Sequence, residues 1–328
     1  MAKYITKRVL YMILVFLVMS LVLFFVYNLV PGDPARAEIE QYKETLTAEQ
    51  YDALYQKTRE KMGLDKPMHI RYLKWITAML QGDLGKSLRY KQDVIDVIRN
   101  PMKTTVFINI FAVTLALGIT IPLGIYSAVN RNSTSDKVIQ VLTVIGYSIP
   151  GFIVGLLLIY IFAVKLRIFP VSGMVTPNFT GTEWEIFKDK MWHLALPLMA
   201  MTISSLGGMT RHVRASMSDA LSMDYITTAR AKGVKERVVI LSHAWRNALL
   251  PVITMIIGWI VSVFSGSIVI ESMFGIPGIG KLLFDSLMNQ DYNVALAVQM
   301  FYIALTVVSN LIIDLSYGLV DPRVRIDQ

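Results

Sequence analysis

The sequence predicts an all-α polytopic membrane protein. Six transmembrane helices are expected, with a small extracytoplasmic helical insertion after the first and a cytoplasmic helical loop between the fourth and fifth. Three observations carry this reading. Hydrophobic residues make up 54% of the 328 positions and charged residues only 17%, with a mean hydropathy of +0.50, too apolar for an ordinary soluble domain. Six stretches run without Asp, Glu, Lys or Arg for about 20 residues, the length a helix needs to cross the hydrocarbon of a bilayer. Basic residues also concentrate in alternate connecting segments, as they do in chains that thread a membrane repeatedly.

The first stretch, Val9 to Val30, follows Lys3, Lys7 and Arg8. It exceeds the apolar region of a signal peptide, and Pro31-Gly-Asp-Pro34 stands where a small-residue cleavage site belongs, so it reads as a retained span. Residues 1–30 are thus the N-terminal tail and first span. Residues 31–102 form the extracytoplasmic segment: Thr47-Ala-Glu-Gln50 is a capping box opening a helix that Gly63 closes, and Met68 to Leu80 has helical periodicity around Trp75. Residues 103–320 hold the remaining spans, at Thr104 to Asn130, Val138 to Val164, Met191 to Thr210, Asn247 to Ile270 and Tyr292 to Ile313, and the loop 211–250. Residues 321–328 are a cytoplasmic tail.

Four of these spans are interrupted. Gly118 and Pro122 fall in the second, Gly146, Pro150, Gly151 and Gly155 in the third, Pro197 and Gly207-Gly208 in the fourth, and Gly258 and Gly266 in the fifth. Close helix packing accounts for any one of them. Together they point to a translocation pathway that bends, with Pro122, Pro150, Gly151, Pro197, Gly258 and Gly266 as its candidates.

Fourteen Lys and Arg residues lie in the segments on the N-terminal side of the membrane against five in the short loops opposite. This places both termini and the 211–250 loop in the cytoplasm. The net charge of +8 is therefore a topology signal and not a nucleic-acid footprint, since no basic stretch interleaves with stacking aromatics. The absence of cysteine excludes disulfides and thiolate metal sites. His69, His193, His212 and His243 share no metal-ligand spacing. Gly82-Asp-Leu-Gly85-Lys86-Ser87 ends like a phosphate-binding loop but has Leu80 where the first glycine is required. No serine or threonine sits in a nucleophile motif, so no catalytic residue is expected. A carboxylate at the bilayer centre costs about 2.5–3.5 kcal/mol, and an ion-coupled carrier would hold several. Glu271 and Asp314 instead sit at span ends, Asp314 shortly before Asp321-Pro-Arg323.

The energy for transport then has to come from outside the chain, and the cytoplasmic loop is built to receive it. Asp224 reads as an N-cap, Tyr225 to Lys232 as a two-turn helix and Gly233 as a stop with positive φ. Ala229 and Ala231 keep that helix thin, while Arg230 and Lys232 can meet acidic groups. A second helix is expected from Glu236 to Leu250.

Thr228-Ala-Arg-Ala-Lys-Gly233 followed by His243-Ala-Trp-Arg-Asn-Ala-Leu-Leu-Pro251 resembles the coupling-loop signature of ABC importer permeases of the dipeptide, oligopeptide and nickel branch. Pro31-Gly-Asp-Pro34, Gly82 to Ser87, Glu271-Ser-Met-Phe-Gly-Ile-Pro-Gly-Ile-Gly280 and Asp321-Pro-Arg323 extend the resemblance over essentially the whole chain. The broader importer pattern opens on Glu-Ala-Ala and has thirteen positions from its glycine to its proline. This sequence has Thr227 and Thr228 before Ala229, and eighteen positions from Gly233 to Pro251. The docking role carries over, but an acidic contact at position 227 does not.

The resemblance implies a transport subunit without enzyme activity, cofactor or metal, in the cell membrane of a prokaryote. Two separate ATPase subunits would grip Asp224, Tyr225, Thr227, Thr228, Ala229, Arg230, Lys232 and Gly233. A second homologous permease would share the pathway, and an extracytoplasmic solute-binding protein would dock on the 31–102 segment and on the outer motif of Glu271, Gly275, Pro277, Gly278 and Gly280. Membrane lipid surrounds the spans, and no nucleic acid is involved. Peptides are the expected solute. Nickel or an oligosaccharide in the same kind of importer, and an ion-coupled carrier or channel, are the alternatives.

Overall fold

With no water to satisfy a bare backbone, an apolar chain in a bilayer closes its hydrogen bonds within each segment, and helices are the outcome. The computed structural model describes residues 2–30 and 32–320. Among them the regular elements are helical, and an antiparallel bridge between Lys86 and Asp93 is isolated. The first helices are α1 (Ala2–Leu29), α2 (Pro34–Ile39), α3 (Ala48–Lys61), α4 (Met68–Leu80), α5 (Val94–Val129), α6 (Thr134–Ser148) and α7 (Gly151–Leu158). Then follow α8 (Glu183–Leu221), α9 (Asp224–Ala231), α10 (Glu236–Val238), α11 (Trp245–Ser262), α12 (Ile268–Met273), α13 (Ile279–Met288) and α14 (Tyr292–Val320). The chain divides into two compact units, one built on residues 2–100 and 283–307, the other on residues 101–282 and the stretch from Val308 on.

In the first unit the local signals fold as the sequence predicts. Thr47 and Gln50 form the capping box of α3, Gly63 takes φ +69 behind it, and α4 has the predicted bounds. Asp33 caps α2 by accepting from the Ala35 N–H at 2.9 Å, and Pro34 occupies the first turn, where its missing N–H costs nothing. The Gly82 to Ser87 motif is a clamp. Asp291, buried just before α14, accepts from the Ser87 hydroxyl and from the Leu88 and Arg89 N–H groups at 3.1 and 3.3 Å, while Asn293 donates to the Lys86 carbonyl at 2.8 Å.

The second unit is organised around α8, against which α6, α7 and α11 pack. Glycines allow the approach: a Cβ on Gly207 would lie 2.5 Å from the Thr143 carbonyl oxygen, and one on Gly151 2.8 Å from the Ser204 hydroxyl. Gly118, Gly208 and Gly258 have open space where a Cβ would go.

Three span expectations need correction. The third span is broken at Ile149 and Pro150, and its halves meet at 99°, because Pro150 cannot continue the ladder of α6. The fourth lies in α8, which is 39 residues long but is not among the helices apolar enough to qualify as spans (Ile5–Leu29, Val94–Val129, Glu236–Ser262 and Tyr292–Ser316, with the bent pair as a fifth). Leu194, Leu196, Ala200, Met209, Val213 and Met217 are buried on α8, so its neighbours, and not lipid, cover it and relax the demand for hydropathy. The fifth runs Glu236–Ser262 as one span, absorbing the expected second loop helix. Pro251 stays inside α11, as membrane helices tolerate, and a π-helical stretch Val239–Ala244 joins α10 to α11. The Asp321-Pro-Arg323 motif lies outside the described residues.

Candidate functional site

The loop helix α9 has two faces. Ile226 and Ala229 are buried in a cluster with Met209, Val213 and Met217 of α8 and Ala248 and Val252 of α11. Asp224, Tyr225, Thr227, Thr228, Arg230, Ala231, Lys232 and Gly233 are exposed. Apolar side chains three positions apart on one face dictate this seating. The helix thus packs on the π-helical stretch Val239–Ala244, puts its apolar face into a core shared with the long helices that flank it, and presents a polar face outward. Ala229 therefore belongs to the inward face, and the thinness it confers serves the chain's own packing.

Met223, not Asp224, is the N-cap, and it offers no side-chain hydrogen bond. Asp224 stands at the first helical position, where its charge still favours the positive end of the helix dipole. The C-terminus follows the expectation closely. Gly233 has φ +75, the Val234 N–H reaches back to the Ala229 carbonyl at 3.2 Å and the Gly233 N–H to Arg230 at 2.9 Å, a Schellman cap. Arg230 forks onto Glu236 at 3.1 Å from Nε and 2.6 Å from Nη2. That hydrogen-bonded carboxylate holds the guanidinium above its usual pKa. Among the described residues, Lys232 is the exposed cation of the loop helix without an ion pair.

Sequence reasoning missed a second fork close by. Asp136, fully buried, accepts from Arg214 Nε at 2.7 Å and Nη2 at 2.8 Å, from the Ser127 hydroxyl at 2.5 Å and from the Asn132 N–H at 2.8 Å. It ties the ends of α5, α6 and α8 together. Its signal was local: Ser133 caps α6, and an acid in the first turn of a helix follows.

Between α5, α8 and α11 lies a cavity of about 430 Å³ lined by Asn109, Tyr147, Ser204, Gly208 and Trp259 among others. At its edge α11 ends and the chain unwinds from Val263 to Ser267. Asn109 supplies the donors the break requires, to the Val263 carbonyl at 2.9 Å and the Ser265 carbonyl at 2.8 Å. Of the six bending candidates, Gly266 lies in this break and Pro150 and Gly151 at the bend after α6. Pro122, Pro197 and Gly258 sit inside continuous helices.

The outer motif folds around its own first residue. Glu271 is 5% exposed and accepts from the Thr105 hydroxyl and the Lys281 N–H, both at 2.8 Å, so it caps the N-terminus of α13. Thr105 Oγ1 in turn accepts from the Ile279 N–H at 2.8 Å. Gly275, at φ +64, closes α12, with the Ile276 N–H on the Glu271 carbonyl at 2.8 Å. A Cβ on Gly278 would lie 2.3 Å from the Glu271 carboxyl carbon and one on Gly280 3.0 Å from Oε2. Burial pushes the Glu271 carboxyl above its ordinary value, while the Lys281 N–H and Thr105 hydroxyl pull the other way. Of the five motif residues, Pro277 is exposed and Glu271, Gly278 and Gly280 are buried.

A family model described as "Binding-protein-dependent transport system inner membrane component" matches residues 120–326. Its N-terminal counterpart, "Binding-prot-dependent transport system membrane comp, N-term", matches residues 1–109. The "Oligopeptide transport system permease protein AppB" of Bacillus subtilis (strain 168) is 40% identical over 326 residues, 99% of this chain and 100% of the relative. The "Glutathione transport system permease protein GsiC" of Salmonella choleraesuis (strain SC-B67) is 35% identical over 326 residues, 99% of each chain. Among solved structures, the inward-facing MetNI methionine ABC transporter matches with a TM-score of 0.50 at 14% identity, covering 68% of this chain and 97% of that one, a likeness of fold. With one family model over most of the long helices and the other over the N-terminal segment, the chain belongs to the binding-protein-dependent transport system inner membrane components: a multi-pass membrane permease subunit, not an enzyme.

Proposed function

We propose that the chain imports peptides as one of two homologous permeases, driven through α9 by two ATPase subunits and supplied by an extracytoplasmic solute-binding protein. The observation that carries this reading is the two-sided seating of α9, with Ile226 and Ala229 in the core shared with α8 and α11 and the polar face free. A force on Tyr225, Thr227, Thr228 or Lys232 passes through that shared core to the two helices beside the cavity, and rocking of packed helices is the shared principle of alternating access. The excess of basic residues in the inner segments supports α9 and both termini lying in the cytoplasm. Relatives named for oligopeptide and glutathione transport support a peptide solute. The cavity's Asn109, serines and Trp259 offer hydrogen bonds and an apolar face without a fixed charge, which suits peptide backbone of varied sequence.

The sequence contains no cysteine, so Thr227→Cys is a unique reporter. In the assembled complex it should crosslink to an ATPase subunit carrying a cysteine beside its docking cleft, and Ser20→Cys, on α1, should not. Failure of Thr227→Cys to crosslink in every nucleotide state would remove the docking assignment. For the solute, purified binding protein loaded with a defined peptide should stimulate ATP hydrolysis by the reconstituted complex. Stimulation by a nickel chelate or an oligosaccharide, with none by peptides, would overturn that part.

A further inference from the structure

The first unit holds a cavity of about 640 Å³ at the place where α1 ends and α14 begins. It is lined by six cations (Arg59, Lys61, Lys66, Arg71, Lys74 and Lys86) and one carboxylate, Asp33. Asp33 is already engaged, accepting from the Ala35 N–H and the Tyr55 hydroxyl. Among the described residues none of the six cations has an ion-pair partner within 4.0 Å. Arg71 is half-buried, donates to the Asn28 side chain at 2.5 Å and faces Arg59; burial, then the charge of Arg59, hold its guanidinium below its usual value. Two like charges converging on a concave site are unfavourable until an anion joins them. On the wall, the Tyr27 hydroxyl is buried beside Gln299 and Tyr292, a polar group at the apolar end of the site.

The helix that carries Arg71 and Lys74 is itself placed for lipid. Arg71, Tyr72 and Trp75 touch Asn28, Ser20 and Phe24 of α1. Three residues of α4 spread over about 6 Å of rise thus meet a stretch of α1 about 12 Å long, so α4 lies across the span and not along it. Asn28, which Arg71 meets, lies one residue before the end of the Ile5–Leu29 span, which sets the Arg71 end of α4 at the depth of the membrane interface. Its free face is the stripe Ile70, Leu73, Thr77 and Leu80, with Ile70 42%, Leu73 58% and Leu80 68% exposed. Thr77, the polar member of that stripe, turns its hydroxyl back to the Leu73 carbonyl at 2.7 Å, as a side chain facing hydrocarbon must. An apolar stripe flanked by cations on a helix in the membrane plane is the pattern of an interfacial amphipathic helix.

We infer that this cavity binds the headgroup of an anionic phospholipid, with its phosphate between Arg59, Arg71 and Lys74, the Tyr27 hydroxyl beside it, and its acyl chains along the Ile70, Leu73 and Leu80 face. Arginine forks match phosphate geometry, and a basic pocket at the end of membrane helices suits such headgroups. The outer segment is then anchored to the bilayer surface and fixes the position of α1. This inference is independent of which solute is carried.

The test is native mass spectrometry on the full-length chain, delipidated in detergent and titrated with dioleoylphosphatidylglycerol, dioleoylphosphatidylcholine or inorganic phosphate. The anionic lipid should bind at least tenfold tighter than the zwitterionic one. The Arg59→Gln, Arg71→Gln double variant should bring the two within about twofold of each other, whereas Lys57→Gln, on α3 but outside the cavity, should change nothing. Arg59→Gln alone alters an exposed side chain, where substitution changes stability little; it should weaken the anionic lipid about threefold. Equal affinity for the two lipids, displacement of the lipid by inorganic phosphate at matching concentration, or wild-type binding by Arg59→Gln would each overturn the assignment.

Discussion

Two guanidinium–carboxylate forks of the second unit have nearly the same geometry and opposite surroundings. Arg214 meets Asp136 at 2.7 and 2.8 Å with the carboxylate fully buried. Arg230 meets Glu236 at 3.1 and 2.6 Å with both side chains about half exposed. The same contrast recurs in two helix ends. Gly233 and Gly275 close α9 and α12 with the same Schellman hydrogen bonds, yet the first leaves a polar face free while the second folds its acid, Glu271, inward. Burial, and not the local motif, decides whether a polar group holds the protein together or is available to a partner.

The buried fork offers the largest test of that contrast. Arg214→Ala leaves Asp136 charged and enclosed with the neutral donors of Ser127, Asn132 and Gln140, and breaking a buried pair in this way costs about 3–5 kcal/mol. A fall in the unfolding midpoint of the detergent-solubilised chain is expected, with loss of transport following from loss of folded protein. At the outer motif, Gly278→Ala drives a Cβ into the Glu271 carboxylate, and overpacking of this kind costs about 1–3 kcal/mol. If the outer motif is chiefly a structural knot, Gly278→Ala should lower the unfolding midpoint, while Pro277→Ala, at the exposed position, should not. An unchanged midpoint in Gly278→Ala would show that Glu271 can move aside.

The parts of the fold that were legible in the sequence are those set by neighbours along the chain. The capping box at Thr47, the bounds of α4 and the positive φ at Gly63 and Gly233 follow from side chains bonding to backbone within one turn. Asp224 was misplaced by one position because an acid suits both the N-cap and the first turn. Hydropathy named α8 as a span for an incomplete reason, since helices and not lipid cover it. The bend at Pro150 was flagged, but its 99° is set by what α6 and α7 pack against. Asp136 and Arg214 lie 78 residues apart and Thr105 and Glu271 166; no periodicity connects them, and these pairings were invisible. The loop helix was read correctly in its C-terminal stop at Gly233, but which of its faces turns inward depended on where α8 and α11 stand.

Gly233→Val tests the cap on the exposed side. Nothing lies within 4 Å of the position a Cβ would occupy, so the substitution acts through backbone strain alone, about 1–2 kcal/mol for a left-handed L-residue. That shifts the closed end of α9 by a factor of about 5–30. Transport-coupled ATP hydrolysis should drop within that range with the global unfolding midpoint nearly unchanged. Gly233→Asn, which tolerates positive φ, should keep most of the coupling. A Gly233→Val complex that transports normally would mean that the cap does not matter to docking.

The smallest stability effect is expected at the exposed fork, and it separates the two roles most cleanly. Exposed pairs are screened and contribute little to folding, so Arg230→Gln should leave the unfolding midpoint where it is. It also frees Glu236 and removes one of the cations on the outward face of α9, leaving Lys232 to meet an acidic partner alone. Coupling should therefore weaken and become more sensitive to salt, because the surviving attraction at the docking face is a single exposed charge. The comparison requires both halves of this result: stability indifferent to Arg230 and dependent on Arg214, coupling dependent on Arg230. If Arg230→Gln lowered the midpoint as far as Arg214→Ala does, the fork would belong to the chain's own architecture, and Tyr225, Thr227, Thr228 and Lys232 would be left to form the docking face.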